Sequence, residues 1–270
     1  MNTVFITGGA SGLGAALAKH YASKNYSVYI VDIHDERGEE TVQLLRSQYG
    51  VDAVYRNMDV TNSEAWQQAM ADVKARWGHL NVLVNNAGVG DAGAIDEHPL
   101  EVFQWVVDIN LMGVVKGCHY GVPLLKESQG TLINVASMAG LLYMPELSAY
   151  NATKAAVVAM SETLQGELEP YGVHVSVLCP AFFKTNLIES MKTAHRKARS
   201  VQKVMDAAKL TAEDIAQITY DKSVQKQFYI MPHAKERWLW RVKRYSPWLY
   251  RIALRMVTGK PRKKLENKTA

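Results

Sequence analysis

The first fourteen residues constrain this chain more than any other stretch. Val4-Phe5-Ile6 is a short apolar run, Thr7-Gly8-Gly9-Ala10-Ser11-Gly12-Leu13-Gly14 follows it, and an alanine-rich helical stretch runs from Ala15 to Ala22. Strand, glycine loop and helix in that order put backbone N–H groups at a helix start, where they can cradle a pyrophosphate. Glycine allows the tight turn and the close approach of backbone to ligand. A glycine-rich turn by itself has many uses; its place directly after an N-terminal strand favours the nucleotide loop. A second strand, Val28 to Val31, ends on Asp32, eighteen residues beyond Gly14. A carboxylate there accepts from the two ribose hydroxyls of an adenosine and repels a 2′-phosphate, so NAD rather than NADP is expected. No Arg or Lys follows immediately in Ile33-His34-Asp35. A helix cap or a plain surface charge is the other reading of Asp32.

Short β-rich runs alternate with helical stretches through the first 231 residues without a linker, a low-complexity block or an internal repeat. This alternation predicts a Rossmann-like, doubly wound parallel sheet with helices on both faces. A chain of 270 residues that is 48% hydrophobic can bury the large core such a sheet needs.

Tyr150 and Lys154 lie four residues apart on a stretch, 148 to 169, that reads as a helix, and Ser137 precedes the tyrosine by thirteen residues. An i,i+4 pair shares one helix face, so the ammonium can stand beside the phenol. A free phenol titrates near pH ~10, and a fixed cation beside it favours phenolate, the condition for exchanging protons with an alcohol or carbonyl. The same spacing occurs on many helices as part of a solvated face, and the rest of the chain decides between the two.

Thr7, Gly8, Gly12 and Gly14, then Asp59, Asn85-Asn86-Ala87-Gly88, Asn110, Ser137, Tyr150 with Lys154, and Pro180 with Thr185 occur in an order that resembles the short-chain dehydrogenase/reductase family in its compact single-domain form. The resemblance spans residues 3 to about 231. It implies that Tyr150 is the general acid/base, that Lys154 lowers its pKa and holds the nicotinamide ribose, and that Ser137 hydrogen-bonds the substrate oxygen. Asn110 would support a water that relays protons to the lysine. Gly8, Ser11, Gly12, Leu13 and Gly14 would hold the pyrophosphate. Asp59 and Val60 would contact the adenine, and Asn86, Ala87 and Gly88 would line the adenosine pocket. Pro180 and Thr185 would meet the carboxamide. One departure stands out: the family places Pro-Gly after the strand Val173 to Leu178, whereas here Ala181 follows Pro180. Alanine tolerates positive φ poorly, so a changed backbone path is expected there.

The formal charge of +5 hides an asymmetry. Residues 235–270 carry twelve Lys or Arg against two Asp or Glu, leaving nineteen basic against 24 acidic side chains before them. The chain is therefore divided into a Rossmann domain, 1–234, and a basic aromatic extension, 235–270. In the extension Tyr245, Trp248, Leu249, Ile252 and Met256 share a helical face with Arg244, Arg251 and Arg255 largely opposite, and Pro247 marks a break or a new helix start. Arginines interrupt every stretch long enough to span a bilayer. Three readings stay open for this tail: packing on the enzyme or a sister subunit, contact with an anionic membrane surface, and, without a fold to support it, nucleic acid. Nucleic-acid binding is not expected.

Cys118 and Cys179 are the only cysteines and have no metal-ligand spacing, and the eight histidines are scattered, so no metal is expected and a reducing, cytoplasmic setting with possible peripheral membrane association is assumed. The start of the chain, almost at its first strand, is read as leaving no room for a signal peptide or N-terminal anchor. Leu141-Leu142-Tyr143-Met144-Pro145 and Phe182-Phe183 predict an apolar pocket, hence a lipophilic alcohol or its ketone or aldehyde partner. Lys184, Lys192, Arg196, Lys197, Arg199 and Lys203 decorate the region after Pro180, as a solvated helix face or as attraction for an acidic head group. The family resemblance implies a homodimer or homotetramer. The expected function is NAD-dependent hydride transfer, with the cofactor carrying the hydride and the protein the proton. The competing class is a non-catalytic nucleotide sensor or membrane-associated scaffold on the same fold; the complete catalytic set favours the enzyme.

Overall fold

A computed structural model describes residues 1–183, 189, 191–192 and 208–258. Thr185 and the basic positions 184, 196, 197, 199 and 203 lie outside the described residues. The chain divides into two units, Met1–Pro232 and His233–Ala270.

Among the described residues of the first unit, seven strands pair in parallel in the order β3-β2-β1-β4-β5-β6-β7. They are β1 (Thr3–Thr7), β2 (Ser27–Asp32), β3 (Ala53–Asn57), β4 (Val82–Asn85), β5 (Thr131–Val135), β6 (His174–Leu178) and β7 (Tyr229–Ile230). The order reverses between β1 and β4, and this switch point leaves a crevice at the carboxyl ends of the strands. Between the strands run α1 (Gly12–Ser23), α2 (Asp35–Tyr49), α3 (Ser63–Trp77), α4 (Leu100–Val107), α5 (Gly113–Ser128), α6 (Ser148–Leu168) and α7 (Ala212–Val224). The Rossmann-like architecture matches the expectation from the alternating pattern.

The strands are apolar on both faces because helices cover both. On one face Val4, Ile6, Val28 and Ile30 join Leu17, Tyr21 and Ile215 in a single buried cluster, with Tyr21 edge-on to Tyr220 at 5.3 Å. On the other Phe5 stacks on Tyr29 at 5.2 Å and packs against the fully buried Trp66 at 5.7 Å. Burying each large side chain contributes about 1.5–3 kcal/mol. Local signals set the helix ends: Asn62 caps α3 by accepting from Glu64 N and Ala65 N, and Thr211 with Asp214 forms a capping box on α7.

The second unit contains α8 (Ala234–Tyr245) and α9 (Pro247–Thr258). Pro247 opens α9, where its missing N–H costs no helical hydrogen bond. Among the described residues no helix is long and apolar enough to cross a membrane.

Candidate active site

The glycine loop turns from β1 into α1 under β2. Gly8 N and Gly9 N donate to Val31 O at 2.8 and 3.2 Å, and Gly8 takes φ of +66°. A Cβ on Gly14 would stand 1.9 Å from Gly8 O, so only glycine lets the helix start lie against the loop. Gly14→Ala is therefore expected to destabilise the protein by about 1–3 kcal/mol and weaken dinucleotide binding, measured by denaturant unfolding and calorimetric titration. Unchanged affinity would remove the close approach from the binding account. The Ser11 side chain does not cap α1, and α1 has no acidic residue in its first turn. A helix start of this kind suits an anion such as a pyrophosphate.

Asp32 ends β2 with its carboxylate in the crevice. Its Oδ2 accepts from Ala10 N at 3.0 Å, and its Oδ1 accepts from Ile33 N at 2.8 Å and His34 N at 3.2 Å. These bonds tie the carboxylate to the glycine loop, and Oδ2, with a single bond, keeps a lone pair for another donor. Asn86 braces the other side: its N–H and that of Ala87 donate to Thr7 Oγ1, both at 2.9 Å, and its Nδ2 donates to Thr7 O at 2.8 Å. Asp59 Oδ1 accepts from Thr61 N, and Val60 O accepts from the Trp66 indole.

Ser137 lies just beyond β5 in extended backbone, where Oγ accepts from Ala139 N at 3.1 Å and donates to Pro180 O at 3.4 Å. Tyr150 and Lys154 project from the first turns of α6. Burial pushes the Tyr150 phenol up, and a hydrogen bond with Ser137 offsets part of that rise. Lys154 is buried, its Nζ donates to Val135 O at 2.9 Å, and burial lowers it to about 8. The ammonium lies 5.9 Å from the Tyr150 ring centroid. The serine hydroxyl thus works against the raised phenol.

Asn110 lies on a π-helical turn, Asp108–Met112, that joins α4 to α5. Such turns are frequent at functional sites. It buries Asn110 completely and commits its carboxamide to Val89, accepting from N at 2.7 Å and donating to O at 2.8 Å. Gly88 threads between these groups, since a Cβ there would sit 3.1 Å from Asn110 Oδ1 and 3.3 Å from Lys154 Nζ. Ala181 does not appear among the described residues with positive φ, so alanine after Pro180 carries no left-handed strain.

One cavity of about 600 Å³ is lined by Gly8, Ser11, Gly12, Leu13, Asp32, Asp59, Val60, Asn86, Ala87, Gly88, Tyr150, Lys154 and Pro180 together. Gly14, Asn110 and Ser137 do not line it but contact residues that do: Gly14 lies against Gly8 and Asn86, Asn110 bonds Val89, and Ser137 bonds Pro180 O. Sequence reasoning missed Arg37, Trp105 and Ile109, which also line it, together with Phe183 of the expected apolar pair. Arg37 sits five residues past Asp32 and pairs with Glu189 at 3.0 Å. Nothing in the local sequence announces a partner 152 residues away.

The fold and crevice define a dinucleotide-binding α/β protein, and the sequence profile of the short chain dehydrogenase family matches residues 2–196. The chain belongs to that family. It is 30% identical over 192 residues to trans-4-hydroxycyclohexanecarboxylate dehydrogenase of Sinomonas cyclohexanicum, covering 69% of this chain and 74% of that one. It is 35% identical over 187 residues to the probable oxidoreductase EphD of Mycobacterium tuberculosis, covering 68% of this chain but only 31% of that longer protein. Among solved structures, a short chain dehydrogenase/reductase from Burkholderia phymatum in complex with NAD superposes with a TM-score of 0.86 at 30% identity, covering 92% of this chain and 94% of that one. An alcohol dehydrogenase from Thermococcus sibiricus complexed with 5-hydroxy-NADP superposes with a TM-score of 0.75 at 25% identity, covering 86% and 95%.

Proposed function

We propose that the protein is an NAD-dependent oxidoreductase acting on a lipophilic alcohol or its carbonyl partner. The observation that carries this reading is a single crevice lined at one end by the glycine loop and Asp32 and at the other by Tyr150 and Lys154. When bound, the nicotinamide supplies or accepts the hydride. The chain's own residues do the rest. The α1 start and Asn86 hold the loop that would carry the pyrophosphate, and Asp32 accepts from the adenosine ribose. Ser137 orients the substrate oxygen and Tyr150 gives it a proton in reduction or takes one in oxidation. Lys154 binds the nicotinamide ribose and supplies positive charge near the phenol. Asn110, anchored on Val89, fixes the wall beside the lysine.

Preference for NAD rests on the Asp32 carboxylate, which accepts from the ribose hydroxyls and repels a 2′-phosphate. Asp32→Ala is expected to shift the ratio of kcat/KM for NAD over NADP toward NADP by about tenfold or more. An unchanged ratio would refute the role given to that carboxylate. The lipophilic substrate is supported by Trp105, Ile109 and Phe183 in the crevice wall and by the exposed Tyr143, Met144 and Phe182 nearby in sequence to Ser137, Tyr150 and Pro180. A panel of alcohols and ketones of graded chain length, assayed with both dinucleotides, tests the whole reading; dinucleotide binding without turnover on any member would favour the sensor class instead.

The cytoplasmic setting rests on Cys118 and Cys179, both free and buried with their thiols pushed up to about 12 by burial. The homodimer or homotetramer rests on the family resemblance, and light scattering of the full chain reads it directly.

A further inference from the structure

We infer that the second unit is an interfacial anchor that docks on an anionic lipid surface through the exposed faces of α8 and α9. On α9, Trp248, Leu249 and Ile252 are 63%, 42% and 47% exposed. Their i, i+1, i+4 spacing places them on one side of the helix. Arg251 and Arg255, both exposed and three and seven residues on, stand on the flank adjoining Trp248 and not opposite the apolar face as the charge pattern suggested. On α8, Trp238 and Tyr245 are seven residues apart on one face and 62% and 81% exposed. Exposed Arg241 stands between them, three residues after the tryptophan and four before the tyrosine.

Each helix therefore presents large apolar or aromatic side chains edged by guanidinium groups. This combination fits the boundary between acyl chains and headgroups. Aromatic rings settle at headgroup depth, aliphatic side chains bury below them, and arginine stems lie along apolar surface while their charges reach phosphate. Glu236 is the sole acidic residue in α8 and α9, and five further Lys or Arg follow between positions 259 and 270 against one Glu. The charge is thus complementary to a negative leaflet, which attracts each basic residue near it. Neither helix is long and apolar enough to span, so the fit is to lying in the interface. A phosphodiester strand would use the arginines and stack on the tryptophans, but gives Leu249 and Ile252 nothing to bury against.

The test uses the full chain and co-sedimentation with vesicles of phosphatidylcholine alone or mixed with phosphatidylglycerol. Binding is expected only to the mixed vesicles, with a loss of about tenfold or more in partitioning when salt is raised from low to high. Arg251→Gln combined with Arg255→Gln should weaken it similarly. Trp238→Ala combined with Trp248→Ala should weaken it at every salt concentration. Circular dichroism and dehydrogenase turnover of the same samples, expected to be unchanged, separate lost docking from lost folding. Three results would overturn the assignment: no sedimentation with mixed vesicles, equal sedimentation with both kinds, or a tryptophan double variant that keeps vesicle binding while dissociating into smaller species, which would make the face a contact between copies of this chain.

Discussion

Tyr150→Phe is expected to slow turnover by about 10²–10⁴-fold while leaving dinucleotide affinity nearly unchanged. The substitution keeps the ring in place between Ser137 and Lys154 and removes only the hydroxyl. What is lost is the group that exchanges a proton with the substrate oxygen, in a site where burial holds the phenol protonated and Ser137 eases it back. Steady-state NADH absorbance in both directions reads the rate, and calorimetric titration reads binding. Near-normal turnover would sink the role of Tyr150. A merely structural tyrosine would instead show itself as lower affinity and a lower unfolding midpoint, with the surviving enzyme turning over normally.

Lys154→Met is expected to abolish most activity and yet stabilise the cofactor-free protein near neutral pH. Burial lowers the lysine from its ordinary 10.5 to about 8 in the folded chain. Between those values the unfolded chain holds the proton and the folded chain does not, so stability climbs with pH across that window. Below about 8 both hold it, and the folded state carries the whole cost of a buried ammonium, about 3 kcal/mol. Methionine removes that cost but leaves Val135 O without its donor, a loss of about 1 kcal/mol, so a net gain near 2 kcal/mol is expected at neutral pH. The gain should shrink steadily as pH approaches the lysine's ordinary value. Urea unfolding without nucleotide, at neutral and alkaline pH, measures it. A methionine variant less stable at neutral pH, with a flat pH dependence, would show that the lysine is a structural tie instead of a charge held for function.

The comparison of chain and fold divides by the range of the interactions. The glycine loop, the strand ending on Asp32, the Tyr150–Lys154 spacing and the Pro247 start of a new helix are local signals, set by backbone preference and side-chain period. All four could be located without coordinates, and the helix expected over 148–169 spans Ser148–Leu168. Asn110 could be located but not its setting, because a π turn inside a continuous helical run leaves the apolar period almost unchanged. At Ala181 the φ is not positive, so alanine stands after Pro180 without left-handed strain.

By itself the sequence determined the order of strands and helices, the glycine loop between β1 and α1, and the Tyr150–Lys154 spacing on one helix, because each depends on residues within a few turns of one another. Only the tertiary structure decided their electrical state and their company. Lys154 is perturbed because β5 and α6 close around it and point it at Val135 O. Arg37 is paired because Glu189 comes to it from 152 residues further along the chain. Desolvation and charge pairing depend on what packs around a group in space, and a linear spacing holds no record of that.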